Sequence, residues 1–466
     1  MENKKLKRGY IEFIGSNTEE VTGSAALIRF LDYAILVDYG MRQSSKDAED
    51  YLINSKRHKD LKPKKLDAVI LTHAHLDHSG LVPALFKDGC ECPVYVAKGT
   101  KKLLTLMWQD CVKIFHNDQE RYNRAPIYTQ DDVDDALAHI IECDLAEIVQ
   151  INENISIKMI NAQHIVKARQ VLVTLSDGNF AKKVGFTGDW SAKKELYWLD
   201  DKQEIETCDM LIAETTYGAR GRLHKSRDRK TDINKIQTAV EYAIEKKGKI
   251  IIPTFSLHRL QTMLAVLYEI YGQDAPIRIL VDSPLGHSIS DIWEYLIDKD
   301  YELWQQIKNW EDVYWITNFK DSMHFNAIKE PMIVLCGGAF LQGGRAAYWV
   351  KENLSFKDNY IIFCGYSTPD SPAGQIKSGK LKEIKIDGKT IKNKAKVLTL
   401  NSFSSHADRK DLLDYYTQKV QYNKICLVHG EQKSKLEFEK ELKEALSKAN
   451  RTSKVVIAQK DGRVHL

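Results

Sequence analysis

Four residues within a stretch of six, His73-x-His75-x-Asp77-His78, set the chemistry of this chain, and His164, Asp189 and His429 follow far downstream. Imidazole nitrogens and carboxylate oxygens are what zinc and other borderline-soft transition metals bind. The string LDAVILTHAHLDHSG puts the cluster directly after Leu66 to Leu71, an apolar run of strand length closed by Thr72. A buried strand that ends in a clump of His and Asp makes a poor core. Chance grouping among 14 histidines is a poor explanation of this density. One zinc takes about four ligands. Seven candidates exceed one ion and suit two, with three protein ligands each and one bridging carboxylate.

The elements that position these residues read as strands first. YIEFIG, AALIRFL and AILVDYG are short apolar or alternating runs separated by turns, and Asp38 ends the third. After the metal strand come a helix at about 80–86 and a longer one at about 100–117. VQINENISIKMINA and QVLVTLSDGNFAKKVGFTGDW read as hairpin strands with His164 and Asp189 at strand ends, and MLIAETTYG as another buried strand. From about Thr231 helix and strand alternate, the pattern of βα units on a parallel sheet. VLTLNSFSSHAD and KICLVHGE then return to strands that end in polar motifs. Because His429 lies beyond the α/β block, the metal-binding domain is discontinuous: 1–212 and 397–466, with 213–396 inserted. A cleft between the two is the natural substrate channel.

At 466 residues the chain exceeds one ordinary core. Hydrophobic content of 43% and charged content of 28% describe a globular chain. MENKKLKRGYIEF lacks the apolar segment of a secretory signal. No apolar run approaches the roughly 18 residues of a membrane span, so a cytoplasmic chain with no membrane partner is expected. The eight cysteines are scattered and include no CxxC pair, which fits reduced thiols, and Cys90-Glu91-Cys92 reads as a loop. The net charge of +4 is unevenly spread. Arg220, Arg222, Lys225, Arg227, Arg229 and Lys230 crowd one run, and eight lysines lie between Lys377 and Lys396. The second run, LKEIKIDGKTIKNKAKV, has the form of an exposed hairpin turning at Asp-Gly.

The ordered set of motifs resembles the metallo-β-lactamase-fold nucleases of the β-CASP group, RNA-processing exonucleases and pre-mRNA cleavage endonucleases among them. The resemblance runs from GSNTEEVTGSAALI and LVDYG through THAHLDHSG, His164 and FTGDW. It continues with ETTYG, PTFSLHRLQ, VDSPLG, GGR at Arg345, SFSSHAD at His406 and LVHGE at His429. It implies an α/β fold: a metallo-β-lactamase αββα sandwich interrupted by an inserted α/β β-CASP domain. By resemblance, His73, His75 and His164 hold one zinc and Asp77, His78 and His429 the other. Asp189 bridges them, Asp38 supports the cluster from behind, and Glu214 and His406 stand beside the metals. Histidine at 429 is the pattern of RNA-directed members. The chain departs from the family pattern at 164–169, His258-Arg259, Gly338-Ala339 and Asp370–Gln375, all in loops.

The expected activity is that of a zinc-dependent ribonuclease, endonuclease or 5′-exonuclease, acting in RNA processing or decay. Two zinc ions about 3.5–4 Å apart bring the pKa of a shared water towards about 7 and clamp a phosphate. Asp77, Glu214 and His406 are the catalytic candidates, and His406 beside a carboxylate suits the acid that protonates the leaving sugar oxygen. Arg220, Arg222, Arg259, Arg345 and Lys167 are candidates for binding the RNA backbone, and a second copy of the chain is a candidate partner. A small-molecule ester or lactone hydrolase explains HxHxDH equally well. It does not explain the inserted domain, Glu214, His406 or the basic run. A non-catalytic nucleic-acid-binding relative does not explain why all seven ligand-type residues are present.

Overall fold

The computed structural model describes residues 9–44, 46–192, 197–199, 204–219, 228–365 and 367–466. Two seven-stranded sheets pack face to face. In spatial order the first holds Arg463–His465, Tyr10–Phe13, Ala26–Phe30, Tyr33–Val37, Ala68–Ile70, Val94–Ala97 and Ile140–Cys143. The second holds Lys454–Ile457, Lys424–Val428, Met210–Glu214, Ala181–Phe186, Arg169–Ser176, Ile155–Asn161 and Ile148–Asn152. The C-terminal segment therefore contributes one strand to the first sheet and two to the second, joining strands that precede the inserted sheet in sequence.

The packing follows from side-chain alternation. Ile155, Ile157 and Met159, then Val171, Val173 and Leu175, project at every second position into the layer between the sheets. There they meet Ile28, Ile35, Val37 and Ile70 of the first sheet. Each such side chain contributes about 1.5–3 kcal/mol relative to exposure. The outer faces are covered by helices, including Val82–Lys87, Thr100–Tyr122 and Gln432–Lys448.

The helix expected at about 80–86 spans Val82–Lys87, and a separate short helix, Leu76–Ser79, precedes it. Pro83 lies in the first turn of Val82–Lys87, where its missing N–H costs nothing. The longer helix runs on to Tyr122 and stops where Asn123 turns left-handed, φ 51°. Cys90 and Cys92 lie in a loop, as expected, both buried with their sulfurs 3.3 Å apart.

The inserted unit is a six-stranded sheet, every pairing of which is parallel: Val313–Trp315, Arg278–Asp282, Met332–Gly337, Lys249–Thr254, Tyr360–Phe363 and Lys396–Thr399. Its central strands Met332–Gly337, Lys249–Thr254 and Tyr360–Phe363 are almost continuously buried, as a sheet covered on both faces requires, while the edge strands Val313–Trp315 and Lys396–Thr399 are partly exposed. The boundary expected at 212/213 falls inside the strand Met210–Glu214. That at 396/397 falls inside Lys396–Thr399, which pairs with Tyr360–Phe363 of the inserted sheet. No helix among the described residues is long and apolar enough to cross a membrane.

Candidate metal centre

Five strands deliver the cluster, each from its C-terminal end. Ala68–Ile70 leads to His73–His78, Ile155–Asn161 to His164, and Ala181–Phe186 to Asp189. Met210–Glu214 ends on Glu214, and Lys424–Val428 delivers His429. Parallel pairing of the last two puts Glu214 opposite Val428. The short helix Leu76–Ser79 is clamped by backbone bonds from Ser24 N to Asp77 O (2.8 Å), Tyr39 N to His78 O (2.8 Å) and Met41 N to Leu76 O (2.8 Å). Gly40 lies so close that a Cβ there would collide with the Asp77 carbonyl. Asp38, Gln163, Lys167, His258 and His429 all adopt left-handed backbone angles, φ between 50° and 68°. Such conformations cost about 1–3 kcal/mol each and collect where surrounding structure enforces a site.

The side chains converge on Asp189. His73, His75, His164 and Asp189 offer ligand atoms all within 4.8 Å of one another, and so do Asp77, His78, Asp189 and His429. Asp189 Oδ2 lies 3.4 Å from His164 Nε2 and 3.8 Å from His73 Nε2. Its Oδ1 lies 3.3 Å from both His78 Nε2 and His429 Nδ1. Asp77 Oδ2 is 3.5 Å from His429 Nε2. A third group joins Asp189, Glu214 and His406.

These residues fit metal ions. Imidazole nitrogens face each other at 3.1 Å (His73 Nε2 to His75 Nδ1), 3.2 Å (His164 Nε2 to His75 Nδ1) and 3.4 Å (His78 Nε2 to His429 Nε2). His75 Nε2 and Asp189 Oδ1 are buried and make no hydrogen bond. An unmet buried polar atom costs about 1–3 kcal/mol, and a cation among these atoms removes that cost. Burial, reinforced by the charge on His78, holds His73 well below the usual imidazole range. Burial and His406 do the same to His164, and burial takes His75 down to about 4. Each is shifted toward the neutral form, the form that binds metal. Burial opposes ionisation of Asp189, but His429, His78, His164 and His406 outweigh it and keep its carboxyl well below the usual range.

Neighbours fix the orientation of each ring. Asp38 Oδ2 accepts from His78 Nδ1 at 2.8 Å, and its Oδ1 accepts from Thr72 N at 2.8 Å. His164 Nδ1 donates to Ser405 O at 3.1 Å, and Thr216 Oγ1 is 3.0 Å from His429 Nδ1. Glu214 is fully buried, with Oε1 accepting from Trp190 N at 2.6 Å. His406 Nδ1 is 3.3 Å from both Glu214 oxygens, which leaves Nε2 facing the cluster, 3.9 Å from Asp189 Oδ2. Burial works against the His406 imidazolium, but Glu214 and Asp189 raise its pKa. Thr216, Trp190 and Ser405 were not among the expected residues. Their proximity in sequence to Glu214, Asp189 and His406 respectively was the available signal.

The expected backbone-binding cations divide. Arg220 and Arg222 lie outside the described residues. Arg259 is buried, its Nη2 donates to Ser405 Oγ at 2.9 Å next to His406, and its Nη1 has no hydrogen-bond partner among the described residues. Arg345 lies 3.2 Å from the buried Asp282, with Nη1 also donating to Ser322 Oγ. Lys167 is likewise engaged, pairing with Asp298 at 2.8 Å. Each of the two therefore has a carboxylate partner within its own fold. Arg229 of the basic run pairs with Glu269.

Three family descriptions match the chain in order: "Metallo-beta-lactamase superfamily" over residues 18–147, "Beta-Casp domain" over 260–376, and "Zn-dependent metallo-hydrolase RNA specificity domain" over 390–455. The chain is 30% identical over 425 residues to a protein of Thermus thermophilus named Ribonuclease TTHA0252, covering 90% of this chain and 92% of that one. It is 28% identical over 444 residues to the transcription termination factor FttA of Methanocaldococcus jannaschii, covering 92% of this chain and 68% of that one. A solved structure from Enterococcus faecalis, of a protein of unknown function, shares the fold at a TM-score of 0.55 and 14% identity, over 98% of this chain and 100% of that one. The chain thus belongs to the β-CASP family of metal-dependent hydrolases on the metallo-β-lactamase fold.

Proposed function

We propose that this chain is a ribonuclease that hydrolyses RNA phosphodiester bonds at a pair of zinc ions. The observation that carries the reading is the convergence of two three-residue ligand sets on Asp189, with Glu214–His406 alongside. His73, His75 and His164 would hold one ion, and Asp77, His78 and His429 the other, with Asp189 between. When bound, such a pair supplies a nucleophile from water near neutral pH and neutralises phosphate charge. The chain's own groups do the rest. Asp38, Ser405 O and Thr216 keep the ligand imidazoles oriented, a role whose loss typically costs about 10–100-fold in affinity or activity. Glu214 holds His406 Nδ1, so that the Nε2 proton points at the cluster for transfer to the leaving sugar oxygen. Arg259, held against Ser405 beside His406 and with Nη1 lacking a hydrogen bond among the described residues, is a candidate to meet a phosphate. A relative named a ribonuclease and a match to an RNA specificity domain support RNA as the substrate.

The test is a substrate panel. Zinc-loaded protein is expected to cut labelled RNA, offered with 5′-phosphorylated and 5′-blocked ends, and to leave carboxylic esters and lactones at the background rate. Cleavage only after a free 5′-phosphate end would define a 5′-exonuclease, and internal cuts in blocked RNA an endonuclease. Efficient ester or lactone turnover with intact RNA would overturn the proposal.

A further inference from the structure

The lysine run of the inserted unit has no part in the chemistry above. Residues 377–396 hold eight lysines against one glutamate and one aspartate, while the whole chain carries only +4, so the rest of the chain is net negative. The run folds as an antiparallel hairpin, Glu383–Ile386 with Lys389–Lys392. Its turn residues Asp387 and Gly388 are both left-handed, φ 53° and 76°, the turn that Asp-Gly favours.

The hairpin is anchored. Ile384 and Ile386 are buried in the core of the inserted unit with Ile376 and Phe363. Alternation therefore turns Lys385 outward, and the register sets Thr390 beside it and Lys392 opposite Glu383 on the same face. Lys389 flanks the turn. Among the described residues Lys380, Lys382, Lys385, Lys389, Lys392 and Lys394 are exposed and make no ion pair. Asp387 is taken by Lys351 at 3.3 Å.

Two features tie this surface to nucleic acid. At one end Lys377 Nζ donates to Gly365 O at 2.9 Å, and Gly365 lines a small pocket of the inserted unit together with Arg259, whose Nη2 reaches Ser405 next to His406. At the other, Lys394 N and Ala395 N donate to Leu354 O at 3.0 and 2.9 Å, which docks the chain on a loop whose Phe356 is 59% exposed. Exposed lysines without ion pairs, with an exposed aromatic ring on the loop where Lys394 docks, suit single-stranded nucleic acid: phosphates release counterions and bases stack. A membrane surface would call for a broad apolar face, whereas the outward strand positions here are Glu383, Lys385, Thr390 and Lys392.

We propose that this hairpin, with Lys394 and Phe356, binds single-stranded RNA outside the metal cleft and holds the substrate strand that leads into it. This rests on the ribonuclease reading. The test compares the full zinc-loaded chain with its K385Q/K389Q/K392Q variant. Binding of a 20-nucleotide RNA is measured by fluorescence anisotropy across a salt series. Three lost contacts should weaken binding roughly tenfold and flatten the log–log salt slope by about 2. Phe356→Ala should weaken binding with the slope kept, since stacking releases no counterions. Turnover of bis-p-nitrophenyl phosphate, too small to reach the hairpin, should match the unmodified chain and serves as the check on folding. A K308Q/K320Q/K448Q control should bind as the unmodified chain does. An unchanged slope in the hairpin variant, or an equal loss in the control, would overturn the inference. So would hairpin-dependent binding to phosphatidylserine vesicles with RNA binding intact. If the unmodified chain neither binds nor cuts RNA, the ribonuclease reading itself fails. If it does both and the hairpin variant matches it, only this inference fails.

Discussion

Asp189→Ala is expected to lose both metal ions together and to reduce RNA cleavage by at least about 10³-fold, as removal of several kcal/mol of transition-state stabilisation implies. The reason is positional. Asp189 is the one residue shared by both ligand sets, with Oδ2 toward His164 and His73 and Oδ1 toward His78 and His429. Without it, two cations would face each other with no anion between them and mostly neutral imidazoles around them. Asp189→Asn keeps the shape and drops the charge, so it separates loss of the bridge from disruption of packing, and it should also be metal-poor. Elemental analysis of both variants after zinc reconstitution reads the result directly. Retention of one tightly held zinc per chain in Asp189→Ala would show that the sites are independent and that Asp189 does not bridge.

The second large effect concerns His406, 192 positions from Glu214 in sequence and 3.3 Å away in space. A general acid is typically worth about 10²–10⁴ in rate. His406→Ala should lose RNA cleavage on that scale while keeping its metals and its affinity for RNA. Glu214→Gln should lose less, because the amide can still orient the ring. p-Nitrophenolate leaves without a proton, so turnover of bis-p-nitrophenyl phosphate should fall far less in His406→Ala than turnover of RNA. Equal loss on both substrates with metals intact would make His406 a phosphate-binding or metal-orienting residue instead.

The strand ends were legible in the sequence because ligands and strands signal each other: an apolar run that stops at Thr72 must hand the chain to a loop, and that loop is HAHLDH. The lysine hairpin was legible because Asp-Gly suits a turn with two left-handed residues. What pairs across distance was not. VLTL at 397–400 carries the same apolar pattern whichever sheet it joins, and only the pairing with Tyr360–Phe363 assigns it. The ion pairs of Arg345 with Asp282 and of Lys167 with Asp298 were not legible, because the partners are remote in sequence. The orienting contacts of Thr216 and Ser405 were hidden for a related reason. A threonine or a backbone carbonyl carries no metal-binding signature until the fold sets it against an imidazole nitrogen.

The central claim is that hydrolysis of RNA needs two ions held by this one cluster. Metal-free protein titrated with zinc, with RNA cleavage followed at each addition, tests it most directly. The account predicts that activity rises to a plateau at two equivalents per chain. A plateau at one equivalent, or two bound equivalents with RNA left uncut, would contradict it.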